Sequence, residues 1–135
     1  MNELIAYRGK KFVIEYGICA NGSAPAKEFF DSSSERDQAK LMALFVRMGE
    51  EGVIRNEEKF KRIEGTECFA FKSFQIRMIC RFQPGGRLIL LCGLWKKKDR
   101  YPPTEIERAK RIFEEHIGLT GERLRHCSRR RSRIW

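Results

Sequence analysis

An apolar stretch from Arg87 to Trp95 limits how this chain can fold more than any other feature of the sequence. Its interior, Leu88–Leu94, contains no polar side chain. A strand that is exposed on one face alternates apolar and polar residues, whereas a strand covered on both faces is apolar throughout. The stretch therefore predicts a central strand of a sheet, covered on both faces.

Other strand patterns surround this central strand. The segment Gln75–Phe82 alternates, so that its even-numbered residues would share one face and its odd-numbered residues, with Arg77 and Arg81, the other. The tight turn Gln83–Gly86 joins it to the central strand as a hairpin. Segments rich in β-branched and aromatic residues predict further strands at Lys11–Tyr16, Phe60–Ile63 and Cys68–Lys72.

Three helices are expected. The segment Ala26–Phe30 would begin a short one, and a longer one begins after the cap residue Ser34 and ends at Gly49 and Gly52. A third begins with the capping box Thr104–Glu107. Apolar residues recur at helical spacing at Leu41, Leu44, Phe45 and Met48 and again at Ile106, Ala109, Phe113 and Ile117. This order of elements predicts an α+β domain with its helices on one side of the sheet.

The length of 135 residues fits one domain. We expect this domain to cover residues 1–118, with Gly118 ending the third helix. Residues 119–135 differ in kind, because they hold six arginines, among them Arg129, Arg130 and Arg131, and one glutamate. Such a tail is usually solvated and partly disordered, but it could also become ordered on a polyphosphate surface.

The net charge of +10 favours polyanionic partners, with nucleic acid ahead of acidic membranes and acidic proteins. The chain contains no run of 18 apolar residues and no secretory signal, so we expect no membrane span and no membrane partner. The five cysteines are odd in number and not closely paired, which argues against a disulfide framework and for the cytoplasm. Neither a metal nor another cofactor is expected.

Common catalytic signatures such as the P-loop, HExxH and GxSxG are absent. The two histidines are His116, near the end of the third helix, and His126 in the tail, and both are expected to be structural or solvated. Cysteines 68, 80 and 92 fall on successive strands and are expected to pack in the core.

A cluster of basic residues is the remaining candidate for a functional site. Its members lie on two neighbouring strands and on the loop after the central strand: Lys72, Arg77, Arg81, Lys96, Lys97, Lys98 and Arg100. Metal-free RNA cleavage needs a base for the ribose 2′-OH, cations for the charge on the phosphate and an acid for the leaving oxygen. A lysine crowded by cations has a lowered pKa and can act as the base, and arginine clamps phosphate. The alternative is that Arg77 and Arg81 only form a solvated outer face of the sheet.

The order of motifs between Phe60 and Phe113 resembles the RelE/ParE superfamily of toxins, and most closely its HigB-like, phage-related branch. That branch has a K-x-L-x-G motif, an E-L-R strand, a Y-R strand, and an apolar strand that runs into K-K and is followed by P-x-x-E-I. The corresponding segments here are Lys61–Gly65, Ala70–Lys72, Ile76–Arg81, Ile89–Lys97 and Pro103–Ala109.

The resemblance implies a small RelE-like domain in which a helical hairpin packs on a curved, mainly antiparallel sheet, here with a C-terminal helix and the basic tail. It also implies a toxin that is silenced by a cognate antitoxin, which we expect to be of the helix-turn-helix type. Many members cleave mRNA on the ribosome without metal, whereas the ParE-like branch poisons DNA gyrase. The expected partners are therefore the antitoxin, mRNA and the ribosome.

The resemblance also assigns roles to residues. Arg77 matches the arginine of the Y-R strand, so Arg77 and Lys72 would hold the scissile phosphate. The position of the usual tyrosine is Ile106 here, so Tyr101 would take the stacking role, with His116 as a weaker substitute for a family histidine. The catalytic set is Arg77, Lys72, Lys96, Lys97 and Tyr101, and the lysines from 96 to 98 supply a base or charge stabiliser. The RNA-binding set is Arg81, Lys98, Arg100, Arg129, Arg130 and Arg131.

The leading hypothesis is an mRNA endoribonuclease toxin of a type II toxin–antitoxin system that acts on the ribosome. Two alternatives stay open: a non-catalytic RNA- or ribosome-binding protein of the same fold, and a ParE-like inhibitor of DNA gyrase.

Overall fold

The computed structural model describes residues 4–96 and 100–132, with side chains up to Leu119. Three helices and a six-stranded sheet are present in this part of the chain. The strands are β1 (Ile5–Arg8), β2 (Val13–Tyr16), β3 (Phe60–Arg62), β4 (Phe69–Ser73), β5 (Ile76–Gln83) and β6 (Arg87–Trp95). The helices are α1 (Pro25–Ser32), α2 (Glu35–Glu51) and α3 (Pro103–Ser132).

The strands follow the order β1-β2-β6-β5-β4-β3 across the sheet. The pair β2–β6 is parallel and every other pair is antiparallel, so the sheet is mixed and mainly antiparallel. The α+β class is thereby confirmed. The central position of the apolar stretch is also confirmed, because β6 lies between β2 and β5 and its residues from Leu88 to Cys92 are fully buried.

The α1–α2 hairpin covers one face of the sheet. The predicted stripe of α2 is buried there, with Leu41 and Phe45 wholly inaccessible to solvent. It packs with Ile76 and Met78 of β5 in the larger core cluster. The Oγ atom of Ser34 accepts a hydrogen bond from the Asp37 amide at 3.1 Å, which confirms the predicted cap.

The opposite face of the sheet is covered by α3, so the expectation of helices on one side only is wrong. Ala109, Ile112 and Phe113 of α3 pack on Ile79 and Ile89 in a second core cluster. The apolar strand β6 explains this arrangement, because it supplies side chains to both clusters. The face of β5 that carries Arg77 and Arg81 is therefore partly covered by α3, not a wholly solvated outer face.

Both predicted ends of the third helix differ from the structure. The helix begins at Pro103, and the carbonyl oxygen of Pro102 accepts hydrogen bonds from the Glu105 and Ile106 amides, so Thr104 lies inside the first turn. Gly118 does not end the helix, because its φ is not positive, as a glycine helix end requires, and the helix continues to Ser132.

Two glycines allow α2 to approach the N-terminal hairpin closely. Gly49, expected to mark a helix end, lies inside α2, and a Cβ atom there would stand 2.7 Å from the Tyr7 ring. A Cβ atom on Gly9 would stand 2.2 Å from the Gly49 carbonyl carbon. The end of α2 is at Gly52, which has a φ of 80°. None of the described helices is long and apolar enough to cross a membrane.

Candidate active site

Strand register brings several predicted site residues to the α3 face of the sheet. Arg77 is directly opposite Lys72 on β4 and opposite Leu94 on β6. Side chains that are directly opposite in a ladder point to the same face, and Lys96 follows two positions after Leu94. The predicted meeting of cations from two strands and the following loop is thus seen for Lys72, Arg77 and Lys96.

A cleft of about 490 Å³ opens on this face, between the β3–β4 hairpin and the start of α3. Four of the predicted site residues line it: Lys72, Lys96, Arg100 and Tyr101. The remainder of the lining is Lys61, Arg62, Ile63, Glu64, Thr66 and Ile106. Five basic residues against one carboxylate make the cleft suitable for a polyanion.

Lys72 lies in an environment that lowers the pKa of its ammonium group. Its Nζ atom donates a hydrogen bond to the carbonyl oxygen of Glu57 at 2.9 Å. Partial burial lowers the pKa of Lys72 below its usual value of 10.5, and the positive charges of Arg77 and Lys61 lower it further. The sequence predicts that a lysine of this cluster is crowded by other cations, and Lys72 is crowded in this way.

Tyr101 lies between two cations at the edge of the cleft. The Nζ atom of Lys96 is 4.4 Å from the centroid of the Tyr101 ring, within cation–π range. Burial raises the pKa of Tyr101 above 10.0, and the positive charge of Arg77 opposes that rise. The hydroxyl group is thus a neutral proton donor close to both basic side chains.

Arg77 is adjacent to the cleft but does not line it. One of its terminal nitrogens, Nη1, donates to the carbonyl oxygens of Phe74 at 2.5 Å and Ile76 at 2.9 Å. Its Nε atom is buried and has no hydrogen-bond partner among the described residues. The guanidinium group is therefore anchored at one end and retains an unused donor.

Arg81 is not part of the cleft. It forms an ion pair with Glu67, and its guanidinium carbon is 4.1 Å from the centroid of the Phe113 ring. These contacts turn Arg81 toward a separate depression that it shares with Lys110 and Glu114 of α3. Lys97 and Lys98 lie outside the described residues, as do the side chains of Arg129, Arg130 and Arg131.

Two lining residues, Lys61 and Arg62, are absent from the predicted site. Lys61 is opposite Ala70 in the β3–β4 ladder, which places it on the same face as Lys72. A signal was present in the sequence, because Lys61 is the lysine of the K-x-L-x-G motif. Arg62 carries no comparable signal.

His116 is part of the core and does not reach the cleft. Only 2% of the residue is exposed, its Nδ1 atom accepts a hydrogen bond from the Ile18 amide at 3.0 Å, and its Nε2 atom lies 2.8 Å from Glu15 Oε2. Arg87 approaches the same carboxylate at 2.6 Å. His116 thus connects α3 to β2 and has a structural role.

The buried cysteines also serve packing. Cys68, Cys80 and Cys92 are at most 1% exposed, as predicted. Burial raises the pKa of each thiol, that of Cys92 to about 12. In the described part of the chain, no three His, Cys, Asp or Glu residues form a group that could hold a metal ion.

Comparison with known proteins adds one match. The model of a family described as phage derived protein Gp49-like (DUF891) matches residues 28–114. The match includes the second half of α1, all of α2, strands β3 to β6 and the first part of α3. It therefore contains every described residue of the cleft. No curated protein matches the chain.

Proposed function

Because the chain belongs to the Gp49-like family of phage-derived proteins, which is part of the RelE/ParE-like toxin superfamily, we propose that it is a metal-independent mRNA endoribonuclease. The family is associated with the toxins of toxin–antitoxin systems, and such a toxin has an antitoxin partner. In this proposal the protein belongs to the HigB-like branch, its antitoxin is of the helix-turn-helix type, and it cleaves translated mRNA in the ribosome.

The observation that carries the proposal is the basic cleft. Lys72, Lys96 and Arg100 line it together with Tyr101, and Arg77 lies beside it. Cations stabilise a phosphate on which negative charge develops, and a lysine of lowered pKa is a better proton acceptor at neutral pH than an ordinary lysine. The cleft therefore offers the groups that transphosphorylation of RNA requires.

The reaction would proceed by attack of a ribose 2′-oxygen on the adjacent phosphorus. Lys72 accepts the 2′-OH proton as the new P–O bond forms, and Lys96 and Arg100 bind the phosphate oxygens. The bond from phosphorus to the 5′-oxygen breaks, and Tyr101 donates a proton to that leaving oxygen. The products are a 2′,3′-cyclic phosphate and a 5′-hydroxyl end. Arg77, opposite Lys72 in the ladder, adds positive charge beside the bound phosphate.

The test is induced expression of the intact chain and of two variants, with growth recorded and transcript 5′ ends mapped. Lys72→Ala should abolish growth arrest and the new 5′ ends inside translated messages. Lys10→Ala is the matched control, because Lys10 is an exposed lysine outside the cleft, and it should remain fully toxic. Full toxicity of Lys72→Ala, with unchanged cleavage, would overturn the assignment.

A non-catalytic RNA binder is a second candidate. It is favoured by one observation: the Nη1 atom of Arg77 donates hydrogen bonds to carbonyl oxygens of its own chain, and Arg77 does not line the cleft. This candidate predicts salt-sensitive RNA binding without new 5′ ends. Growth arrest with DNA damage and intact messages would instead indicate action on gyrase.

A further inference from the structure

The tip of the β4–β5 hairpin holds a bulky residue in a conformation that favours glycine. Ser73 pairs with Ile76, which leaves a loop of two residues, Phe74 and Gln75. Phe74 has a φ of 55° and is the one residue other than glycine with a positive φ in the described part of the chain. Its side chain is left in solvent, since Phe74 is 69% exposed. Strain of this kind persists where the side chain or the backbone orientation has a use.

A second exposed aromatic residue lies at the same end of the sheet. Trp95, the last residue of β6, is opposite Ile76 and is 53% exposed. Its ring is 6.1 Å from that of Phe29, which covers the position of Gly93. We refer to Phe74 and Trp95 as the aromatic tip.

Cations from α2 adjoin the aromatic tip. The guanidinium carbon of Arg36 is 5.9 Å from the centroid of the Phe74 ring, and the Nζ atom of Lys40 is 5.1 Å from it. Arg36 and Lys40 form no ion pair with a described carboxylate, so their charges are available to a polyanion. Aromatic rings beside uncompensated cations are the combination that binds single-stranded nucleic acid, because rings stack on bases and cations follow the backbone.

The aromatic tip is joined to the candidate active site by two short connections. The carbonyl oxygen of Phe74 accepts the 2.5 Å hydrogen bond from Arg77, so the backbone of the strained residue orients the arginine. Trp95 is followed directly by Lys96, whose side chain lines the cleft and whose amide donates to the Gln75 carbonyl oxygen at 2.7 Å. A strand leaving the cleft past Arg77 and Lys96 therefore meets the aromatic tip next.

We propose that Phe74 and Trp95 form a second RNA subsite, which stacks on bases of single-stranded RNA that passes from the cleft around the hairpin tip; this subsite rests on the proposed function. The subsite reads no particular base, since every base has a face that can stack. The subsite holds nucleotides next to the scissile phosphate. The protein should therefore bind a long single-stranded RNA more tightly than a short one that does not reach the subsite.

The experiment uses the full chain with Trp135→Phe, which leaves Trp95 as its one tryptophan. The probe is a 2′-O-methyl oligoribonucleotide, which lacks the attacking hydroxyl and stays intact whether or not the protein is a nuclease. Binding should quench the Trp95 fluorescence. Phe74→Gly should weaken binding about tenfold, because stacking on one base is lost, while the dependence of affinity on salt keeps its slope.

Controls separate the subsite from a folding defect and from the proposed function. Glycine suits the φ of Phe74, and Val53→Ala removes an exposed apolar side chain elsewhere, so both variants should fold, and Val53→Ala should bind as the parent does. If RNA quenches the Trp95 fluorescence of a chain that does not cleave RNA in any assay, that result would support the subsite and reject the proposed nuclease activity.

Three results would overturn the subsite. Suppose that the parent cleaves RNA and that Phe74→Gly keeps full RNA affinity. This result would reject the subsite and leave the proposed nuclease activity in place. Absence of quenching at saturating RNA would also reject it. Loss of antitoxin capture in Phe74→Gly, with RNA affinity unchanged, would show that the aromatic tip is a protein-docking surface.

Discussion

The Nε2 atom of His116 lies 2.8 Å from the Oε2 atom of Glu15, although 101 positions separate the two residues. The Nδ1 atom of the same ring accepts a hydrogen bond from the Ile18 amide, so Nδ1 carries no proton and Nε2–H donates to the carboxylate. Burial alone would raise the pKa of Glu15, but the hydrogen bonds from His116 and Arg87 outweigh it and hold this pKa at about 2. The contact fixes α3 to β2 through a charged group inside the protein.

Glu15 should make stability depend on acid pH. Its pKa is about 2 in the folded chain against a usual 4.5, so its contribution is fully present above pH 4.5 and is lost as pH falls through 2. This difference corresponds to about 3 kcal/mol. Glu15→Gln should lower the free energy of unfolding at pH 7 by a similar amount, and the gap to the parent should shrink toward pH 2. Urea unfolding across this range measures it, with the exposed Glu58→Gln as control; a gap that is constant with pH would contradict the prediction.

Removal of the imidazole should be costly at neutral pH. His116→Ala leaves the Ile18 amide and part of the Glu15 carboxylate buried without partners, and we expect the free energy of unfolding to fall by about 3 kcal/mol. His116→Gln can still donate to Glu15 and should recover part of the loss. Thermal unfolding of the two variants provides the comparison, and equal melting temperatures for alanine and glutamine would refute the donor role.

Two glycine substitutions in helices should act in opposite directions. Gly49→Ala places a Cβ atom 2.7 Å from the Tyr7 ring, which should destabilise the fold by about 2 kcal/mol. Gly118→Ala meets nothing within 4 Å inside α3, so it should stabilise the chain by up to about 1 kcal/mol through helix propensity. Chemical denaturation of both variants tests the pair. A loss of stability in Gly118→Ala would mean that α3 ends there after all.

Lys72→Arg should separate proton transfer from phosphate binding. Arginine retains the positive charge but does not release a proton, so RNA affinity should persist while the cleavage rate falls about a hundredfold. The parent rate should rise with pH toward the pKa of Lys72, which lies below 10.5, because only the neutral amine accepts a proton. This rise should be absent from the residual rate of Lys72→Arg. Unchanged cleavage by that variant would make Lys72 a phosphate ligand alone.

Phe74 should tolerate glycine better than valine. The φ of 55° suits glycine, whereas a β-branched residue is disfavoured there. We expect Phe74→Gly to unfold at a temperature no lower than the parent and Phe74→Val to lose about 1 kcal/mol. Calorimetry of the two variants measures the strain, and equal destabilisation by both would show that the Phe74 ring is needed for the fold.

Hydrophobic pattern alone predicted most of the sheet. The central place of β6 follows from its unbroken apolar run, and the burial of Leu41 and Phe45 follows from helical spacing. β1 was missed because its residues are only partly buried and form no clear alternation. The continuation of α3 past Gly118 was missed because a glycine ends a helix only when its φ becomes positive, which the sequence does not reveal.

Part of the candidate site could be predicted, because the sequence pattern indicates which face of a strand a residue lies on. The direction in which a long side chain then turns could not be predicted. Alternation placed Arg77 and Arg81 on one face, and an antiparallel sheet was expected to bring Lys72 and the loop lysines to them. The antiparallel ladder does place Lys72 opposite Arg77. The rotation of Arg77 toward the Phe74 carbonyl depends on a backbone angle in the hairpin tip. Likewise, the separation of Arg81 from the cleft depends on Glu67 and on a ring of α3. Neither contact has a signature in local sequence.

The parallel pairing of β2 with β6 governs when the protein can assemble during synthesis. Val13 pairs with Arg87, so the N-terminal hairpin has no place in the sheet until residues more than seventy positions later have been made. The contact of Glu15 with His116 comes later still. Pairings this distant in sequence form slowly, because the loop between them must close first. The sheet therefore cannot be complete until synthesis has passed Trp95, the last residue of β6, and until then the N-terminal hairpin lacks its neighbouring strand.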